Sequence, residues 1–480
     1  MDPFNPTAEL LIPEVSELIR EGRYSELREA LHGIPPADVA DILAVLTPGE
    51  AAVAFRFLTR DDAGHVFSYL SMEKQEALIN ELGAEASLRV VEAMEPDDRA
   101  KFLDELPPEV AHRIISSLSP ENRRVTQAIL GYPPKSVGRL MTPGYVSLRP
   151  EWTIGRALEH IRRTGRDAET VNFVYVIDDQ GRLIDDIRLR QLLFAEPEQP
   201  VESIMNRQFV TLKADDPQEE AVRAMSRYDR AVLPVVDSRG VLLGIVTYDD
   251  VADVAEQEVT EDMQKLGGME ALDEPYITTP IWRLSRKRIT WLAVLFVGEM
   301  FTQTAMAGFQ HEIESAAVLS TFVPLIVSSG GNSGSQATSL IIRALAVGEI
   351  TLRDWWRVFK RELAAGMILG AALGVIGILR INIWGWLGWF LKHNHDGTVI
   401  ESSQRAQSHY HLLAVSIGVA VVGVVLWGTV IGSMLPFALK KLRLDPATSS
   451  APFVATLVDV VGVLIYFGVA VLVLRGTILS

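Results

Sequence analysis

Asp459 lies inside the otherwise apolar run APFVATLVDVVGVLIYF, residues 451–467. Holding a carboxylate in hydrocarbon costs at least ~2.5 kcal/mol on insertion scales, so such a residue is a functional site by default. A second segment, SSGGNSGSQATSLIIRAL at 328–345, has polar and small residues where Leu and Val belong in a membrane span. Gly and Ser let helices pack closely. Close packing alone does not call for Asn332, Ser333, Ser335, Gln336 and Thr338 together, nor for Pro324 upstream. Irregular polar backbone at membrane depth survives only against protein or a water-filled cavity. The segment therefore reads as a pore lining, with Gly330, Gly331, Asn332, Ser333 and Gln336 along it. Carboxylate, amide, hydroxyl and carbonyl oxygens are hard ligands suited to Mg²⁺, Ca²⁺ or Mn²⁺. One Asp per subunit among amides and hydroxyls fits a hydrated cation, and Mg²⁺ keeps its waters most firmly. At a two-fold axis between two subunits, two copies of Asp459 would face one axial ion.

A different set of acids crowds residues 249–268, DDVADVAEQEVTEDMQKLGG. Asp249, Asp250, Asp253, Glu256, Glu258, Glu261 and Asp262 spread around most of a helix. Like charges three or four residues apart cost a few tenths of a kcal/mol each. A solvated linker tolerates that cost, whereas a helix meant to be neutralised by cations uses it, and the second reading is preferred. Asp97 and Asp98, an adjacent pair, are further candidates for a metal.

The elements that position these groups fall into four regions. Overall charge is −16, unevenly placed: residues from 286 onward carry 15 Lys and Arg against 10 Asp and Glu, leaving 30 against 51 before them. An acidic front half repels nucleic acid and attracts cations. Without cysteine the chain has no disulfide, thiolate metal site or cysteine nucleophile. The start, MDPFNP, lacks a signal peptide's basic and apolar parts, which places the front half in the cytosol.

Ile34, Leu46, Leu58, Leu70, Leu82, Met94, Leu106, Leu118 and Leu130 recur every 12 residues. Each is followed in most units by a capping residue or Pro and then an acid, the signature of a helix start. Residues 1–135 therefore form an all-α solenoid of short helices. Residues 136–200 and 201–254 repeat once, each copy reading as strand, helix, strand, Asp-Gly-type turn, strand, helix. Residues 255–285 connect to the membrane domain, 286–480. There, apolar stretches at 289–309, 316–345, 363–390, 412–439 and 451–474 each approach or exceed the ~20 residues of a span. Basic flanks RLSRKR, RDWWRVFKR and KKLRL are cytoplasmic by the positive-inside rule, so five spans leave the C-terminus outside. Pro452 is expected to loosen the start of the last span. His393, His395, His409 and His411 belong to an outer connection and read as loop residues. No phosphate-binding glycine loop with Lys and no His beside a nucleophile occurs, so no enzyme is indicated.

The 136–254 repeat resembles a tandem pair of CBS domains, a module that often binds adenine nucleotides. Gly244, Thr247 and Asp250 match that family's Gly-x-x-Thr-x-x-Asp ribose pattern, which implies a nucleotide such as ATP; the first copy has Asp185, Arg188 and Gln191 there. With FVPLIVSSGGNSGSQATSLIIRAL, GSMLPFALKKLRLDPATSSAPFVATLVDVVG and TYDDVADVAEQEVTEDMQKLG, the order of parts resembles the MgtE family of Mg²⁺ channels over nearly the whole chain. That resemblance implies a homodimer in the cell membrane, with its pore between subunits, closed when Mg²⁺ binds its acidic cytosolic domains. It places the pore aspartate on Asp459 and a carbonyl ligand on Ala455. Sensor acids fall on Glu219, Asp229, Asp250, Asp253, Glu258, Glu261, Asp262 and Asp445. Ala451 stands where the family often has Asn, and Pro217 where a close relative would carry an acid. A coupled carrier of Co²⁺ or Mn²⁺ is the competing expectation, with Glu299 as its further intramembrane acid.

Overall fold

The computed structural model describes residues 6–166, 168–272, 276–277, 279–392 and 399–479. The chain divides into two compact units, Met1–Glu256 and Gln257–Ser480.

In the first unit, helices Pro6–Glu21 and Tyr24–Leu31 lead into eight more between Pro36 and Leu130 at the twelve-residue spacing. The chain leaves most of these helices in extended backbone at the repeated apolar residue, as at Leu46, Leu70, Met94 and Leu118. Those four side chains are buried. Burying one such side chain is worth about 1.5–3 kcal/mol, so the repeat residue fastens each turn to the core. The next residue starts the following helix. Thr47 and Glu50 form a reciprocal capping box, and Thr59 and Ser119 accept from the backbone N–H three residues on. Acids occupy the first turns, among them Glu73, Glu85 and Glu121, where they complement the helix dipole. Pro36–Val45 packs on Arg60–Tyr69, which packs on Ala84–Ala93, so alternate helices share a layer.

Two three-stranded sheets follow. In each, a two-residue strand pairs parallel with the central strand, and the third strand pairs antiparallel with it. The central strands Phe173–Ile177 and Val232–Val236 are almost wholly buried. Asp178 and Asp237 close the hairpins by accepting backbone N–H groups across the turn, with Gly181 and Gly240 at positive φ. The last strand, Leu242–Thr247, runs directly into the acidic helix Tyr248–Leu266.

The second unit has long helices at Ile281–Ala307, Val323–Ala346, Trp355–Trp386, Tyr410–Lys441 and Ala451–Leu474. Four are long and apolar enough to cross a membrane: Ile281–Ala307, Leu352–Trp386 with its leading turn, Tyr410–Lys441 and Ala451–Leu474. Tyr410–Lys441 is central, packing against the polar helix Val323–Ala346, Trp355–Trp386 and the final helix. Ile281–Ala307 packs on the final helix and exposes Phe296, Val297, Met300 and Phe301.

Two expectations change here. The polar stretch is not irregular: it lies in a continuous α-helix, and its hydroxyls satisfy themselves on that helix. Ser329, Thr338 and Ser339 donate to the carbonyls of Leu325, Gly334 and Ser335, four residues earlier. Residues 317–322 form a 3₁₀ turn before it, and Pro324 stands in the first turn, where a missing N–H costs nothing. Pro452 likewise sits at the start of the final helix and leaves it unbroken.

Candidate ion pathway and cation-binding acids

The final helix carries Ala455 and Asp459 one turn apart, both half-buried. Facing them is Gly331 of the polar helix. A methyl group at Gly331 would lie 3.4 Å from Cβ of Ala455 and 3.8 Å from Oδ1 of Asp459. Glycine there lets the polar helix come against the carboxylate with no side chain intervening. Ser328, Asn332 and Gln336, four residues apart, form an exposed polar stripe on that helix. Ser335 ties the same helix to the start of the final one by donating to the Ala451 carbonyl at 3.2 Å. Glu299 lies on Ile281–Ala307, the helix that packs on the final one.

The residues expected along the polar lining divide by helix face. Asn332 and Gln336 are exposed, and Gly331 meets Asp459. Gly330 and Ser333 turn inward and serve packing instead, since their positions face Tyr410–Lys441. Ser333 shares a 2.8 Å hydrogen bond with Thr429, and Thr338 donates to the Gly432 carbonyl at 2.8 Å. The sequence reading missed Thr429, Gly428 and Gly432; the small-residue spacing Gly428–Gly432, mirrored by Gly330–Gly334, was the available signal.

In the first unit, two helix starts and one loop bring acids together. Asp97 and Asp98 stand in the first turn of Pro96–Glu105, and Asp249 and Asp250 in that of Tyr248–Leu266. Glu95 and Glu169 join them. Burial first, then Glu169, Asp98, Asp250 and Asp249, push the Glu95 carboxyl up to about 7. Burial, followed by Asp250 and Asp98, raises Asp97 well above the usual range, and Asp250 reaches about 6 by burial and the charges of Asp249 and Asp98. Glu169 is raised by burial and Asp249. Asp97 is 7 % exposed and its Oδ1 is buried with no hydrogen-bond partner. A buried, unpartnered carboxylate oxygen among five other acids suits a hard cation. Glu95 also had a signal in the repeat: it occupies the capping position held by Thr47, Thr59, Ser71 and Ser119 elsewhere.

The remaining candidates are more dispersed. Asp253 and Glu256 are exposed on the acidic helix. Glu219, with Oε2 buried and unpartnered, begins helix Gln218–Tyr228, while Asp229 ends it in the left-handed region. At 1.5 Å per residue, opposite ends of that helix are too far apart to share one ion. Among the described residues, no three carboxylates or imidazoles converge to metal-ligand distances. Asp250 accepts from Thr247 Oγ1 at 2.8 Å. Gly244 answers first to packing, since a Cβ there would meet the Thr142 carbonyl oxygen at 2.7 Å. In the first copy, Asp185 is taken up by the backbone N–H groups of Asn206 and Arg207, and Arg188 lies over Phe173.

In the second unit, Lys265 Nζ stands 2.6 Å from Glu261 Oε1 and 2.6 Å from Asp445 Oδ2. Burial opposes that charge, but the hydrogen bonds to Asp445 and Glu261 prevail and raise the ammonium's pKa. Burial and the Asp445 charge push Asp262 up to about 6; Glu258 adds to the repulsion. His409 turns to the Arg405 carbonyl and His411 to Asn382, apart from each other; His393 and His395 lie outside the described residues.

Apolar helices of membrane length, one carrying a carboxylate against a polar neighbour, and an acidic helical and α/β unit define a membrane protein that handles cations. The chain belongs to the MgtE family of divalent cation transporters. The model of that transporter domain matches residues 323–469, that of the MgtE intracellular N domain residues 34–135, and CBS domains match 137–198 and 201–256. The magnesium transporter MgtE of Thermus thermophilus is 40% identical over 354 residues, 74% of this chain and 73% of its own. That of Bacillus subtilis is 28% identical over 466 residues, 97% of this chain and 98% of its own. The crystal structure of the soluble part of a magnesium transporter, 23% identical, covers 52% of this chain and 99% of its own at a TM-score of 0.50, a likeness of fold. The relatives are named as transporters, not enzymes.

Proposed function

We propose that the chain forms a homodimeric, Mg²⁺-selective channel of the cell membrane that cytosolic Mg²⁺ closes. The observation that carries this reading is the approach of Gly331 to Ala455 and Asp459, beside the exposed stripe of Ser328, Asn332 and Gln336. An exposed polar stripe is costly against lipid, so a second copy is its natural cover, and two copies of Asp459 then flank one water-filled path. The Ala455 carbonyl and the Asn332 and Gln336 amides face ions that keep their water, which favours Mg²⁺. In this reading the polar helix is the fifth crossing. The N-terminal half, a helical solenoid and a CBS pair, lies in the cytoplasm and the C-terminus outside.

Glu95, Asp97, Asp98, Asp249 and Asp250 act as one part of the sensor, and Glu258, Glu261, Asp262 and Asp445 as another. Without a counter-charge these carboxylates repel and favour separation of the elements that carry them. Bound Mg²⁺ supplies that counter-charge and shifts the population toward the closed arrangement. ATP is proposed as a ligand at Thr247 and Asp250, the latter shared with the acidic cluster.

Mg²⁺ flux into liposomes tests the reading, with Ca²⁺ and Co²⁺ as competitors. Wild type should conduct and Asp459→Ala should not; unchanged permeation in the variant would remove the basis of the proposal. A second carboxylate, Glu299, on a helix that packs on the final one favours one rival, a proton-coupled carrier. Unitary conductance in patch recordings excludes that rival, and saturable, pH-driven flux would support it.

A further inference from the structure

The acidic helix Tyr248–Leu266 contains seven carboxylates and a single basic residue, Lys265. That one ammonium touches two carboxylates from different elements, Glu261 on its own helix and Asp445 before the final helix. Asp445 is held in place independently, because its Oδ1 accepts from the Ala447 N–H at 2.9 Å and leaves Oδ2 toward Lys265. The helix end around Lys265 is also fixed. Gly268, at φ +74°, donates its N–H to the Lys265 carbonyl, and a Cβ on it would lie 2.8 Å from Trp291 and 3.4 Å from Pro452. Trp291 in turn donates to Ser450 Oγ at 3.0 Å, the residue that caps the helix carrying Asp459.

We propose that Lys265 is a tethered resident cation: its ammonium occupies the Glu261–Asp445 seat and competes there with divalent cations, setting the concentration at which the channel responds. The inference rests on the reading above, in which these acids hold cytosolic Mg²⁺. The chemistry is that of two charge-assisted hydrogen bonds at 2.6 Å, stronger than neutral ones and only partly screened, since the three side chains are 22–38% exposed. A tethered ligand is present at high effective concentration, so an incoming ion must displace it before reaching both oxygens. An ammonium brings one positive charge to the seat between Glu261 and Asp445, and a divalent ion brings two. The exchange therefore remains possible and is merely shifted to higher concentration. Lys265 acts in this way as an affinity-setting residue and not as a ligand.

The test uses the full-length protein in nanodiscs and Mn²⁺, whose free aquo-ion is counted by electron paramagnetic resonance. Lys265→Gln should bind one class of Mn²⁺ about ten-fold more tightly than wild type, Lys265→Arg should stay near wild type, and Asp445→Asn should abolish the gain. In patch recordings the same Lys265→Gln change should lower the Mg²⁺ concentration of half-inhibition by a similar factor. An unchanged or weakened Mn²⁺ isotherm in Lys265→Gln overturns the proposal. Should wild-type currents ignore Mg²⁺, the gating reading fails while the isotherms still decide the role of Lys265. If Lys265→Gln does not fold, ¹³C-methylation of lysines in the wild type decides instead. The Lys265 resonance must move as Mg²⁺ is added, and a fixed resonance at saturation overturns the proposal.

Discussion

Asp97 of the twelve-residue repeat is buried within reach of the charge of Asp250, from the helix after the second sheet, and burial and that charge together raise its carboxyl. The pairing gives the first unit a pH signature. Folded Asp250 titrates at about 6 and Glu95 at about 7, against ordinary values near 4, and Asp97 is raised as well. Between about pH 4 and pH 7 these three groups bind more protons folded than unfolded, so their contribution to stability falls as pH rises through that window. A tenfold change in proton affinity corresponds to about 1.4 kcal/mol, and with Glu95 partly exposed a net loss on the order of 2 kcal/mol is expected. Unfolding of the full-length protein should therefore need less denaturant at pH 8 than at pH 5. Mg²⁺ should close the gap at pH 8 and do little at pH 5. Asp97→Asn should remove part of both effects.

Close packing in the membrane unit can be tested at two glycine contacts. A Cβ on Gly428 would stand 2.3 Å from the Gly330 carbonyl oxygen, and one on Gly432 would stand 2.2 Å from that of Gly334. Neither neighbour can rotate away, because both are backbone. Gly428→Ala should lower stability by about 1–3 kcal/mol, the usual range for overpacking, and reduce flux by separating the two helices. Gly468→Ala is the matched control, since a Cβ there meets nothing within 4 Å. Thermal unfolding in detergent compares the two; equal melting temperatures would refute the close-contact account.

Ser450 does two jobs with one hydroxyl. It accepts from the Phe453 N–H as the cap of the final helix and from Trp291 Nε1 at 3.0 Å. Ser450→Ala should cost about 1 kcal/mol as a lost cap and leave the indole N–H unpaired. The change should appear both as a lower melting temperature and as altered Trp291 emission. Trp291→Phe should remove the spectral response and leave the capping loss.

How far the sequence foretold this arrangement follows from which interactions are local. The twelve-residue repeat, the hairpin turns at Asp178 and Asp237, and the start of the final helix at Ala451 were legible, because caps, turns and dipoles act within a few residues. Asp459 was legible because a carboxylate in an apolar run is expensive wherever the chain goes. The split of the polar stretch was not. Gly330 and Ser333 became packing residues and Asn332 stayed exposed because Tyr410–Lys441, about a hundred positions on, chose which face to cover. Helical continuity there was not legible because Ser and Thr hydroxyls find their partners on their own helix and need no irregular backbone. Glu169 and the Lys265–Asp445 pair escaped notice for the same reason, since their partners are distant in sequence.

Sensing and conduction should separate by mutation. Asp250, Asp253 and Glu258 lie along the acidic helix, outside the membrane helices, whereas Asp459 lies within the final one. Removing three carboxylates from the acidic helix, Asp250 and Glu258 of the sensor and the neighbouring Asp253, removes the reason for Mg²⁺ to favour the closed state, because a ligand shifts an equilibrium only by its differential affinity for the two states. The triple variant Asp250→Ala, Asp253→Ala, Glu258→Ala should therefore conduct Mg²⁺ at wild-type unitary amplitude. Its open probability should no longer fall when cytosolic Mg²⁺ is raised, and a change of about 1.4 kcal/mol in that coupling already moves half-inhibition ten-fold. Asp459→Asn should show the reverse pattern, with reduced unitary current and an unchanged sensor, visible as Mn²⁺ isotherms like those of wild type. Recordings in excised patches distinguish the two. Inhibition that persists undiminished in the triple variant would assign the sensor to other acids, with the cluster of Glu95, Asp97 and Asp98 the next to be neutralised.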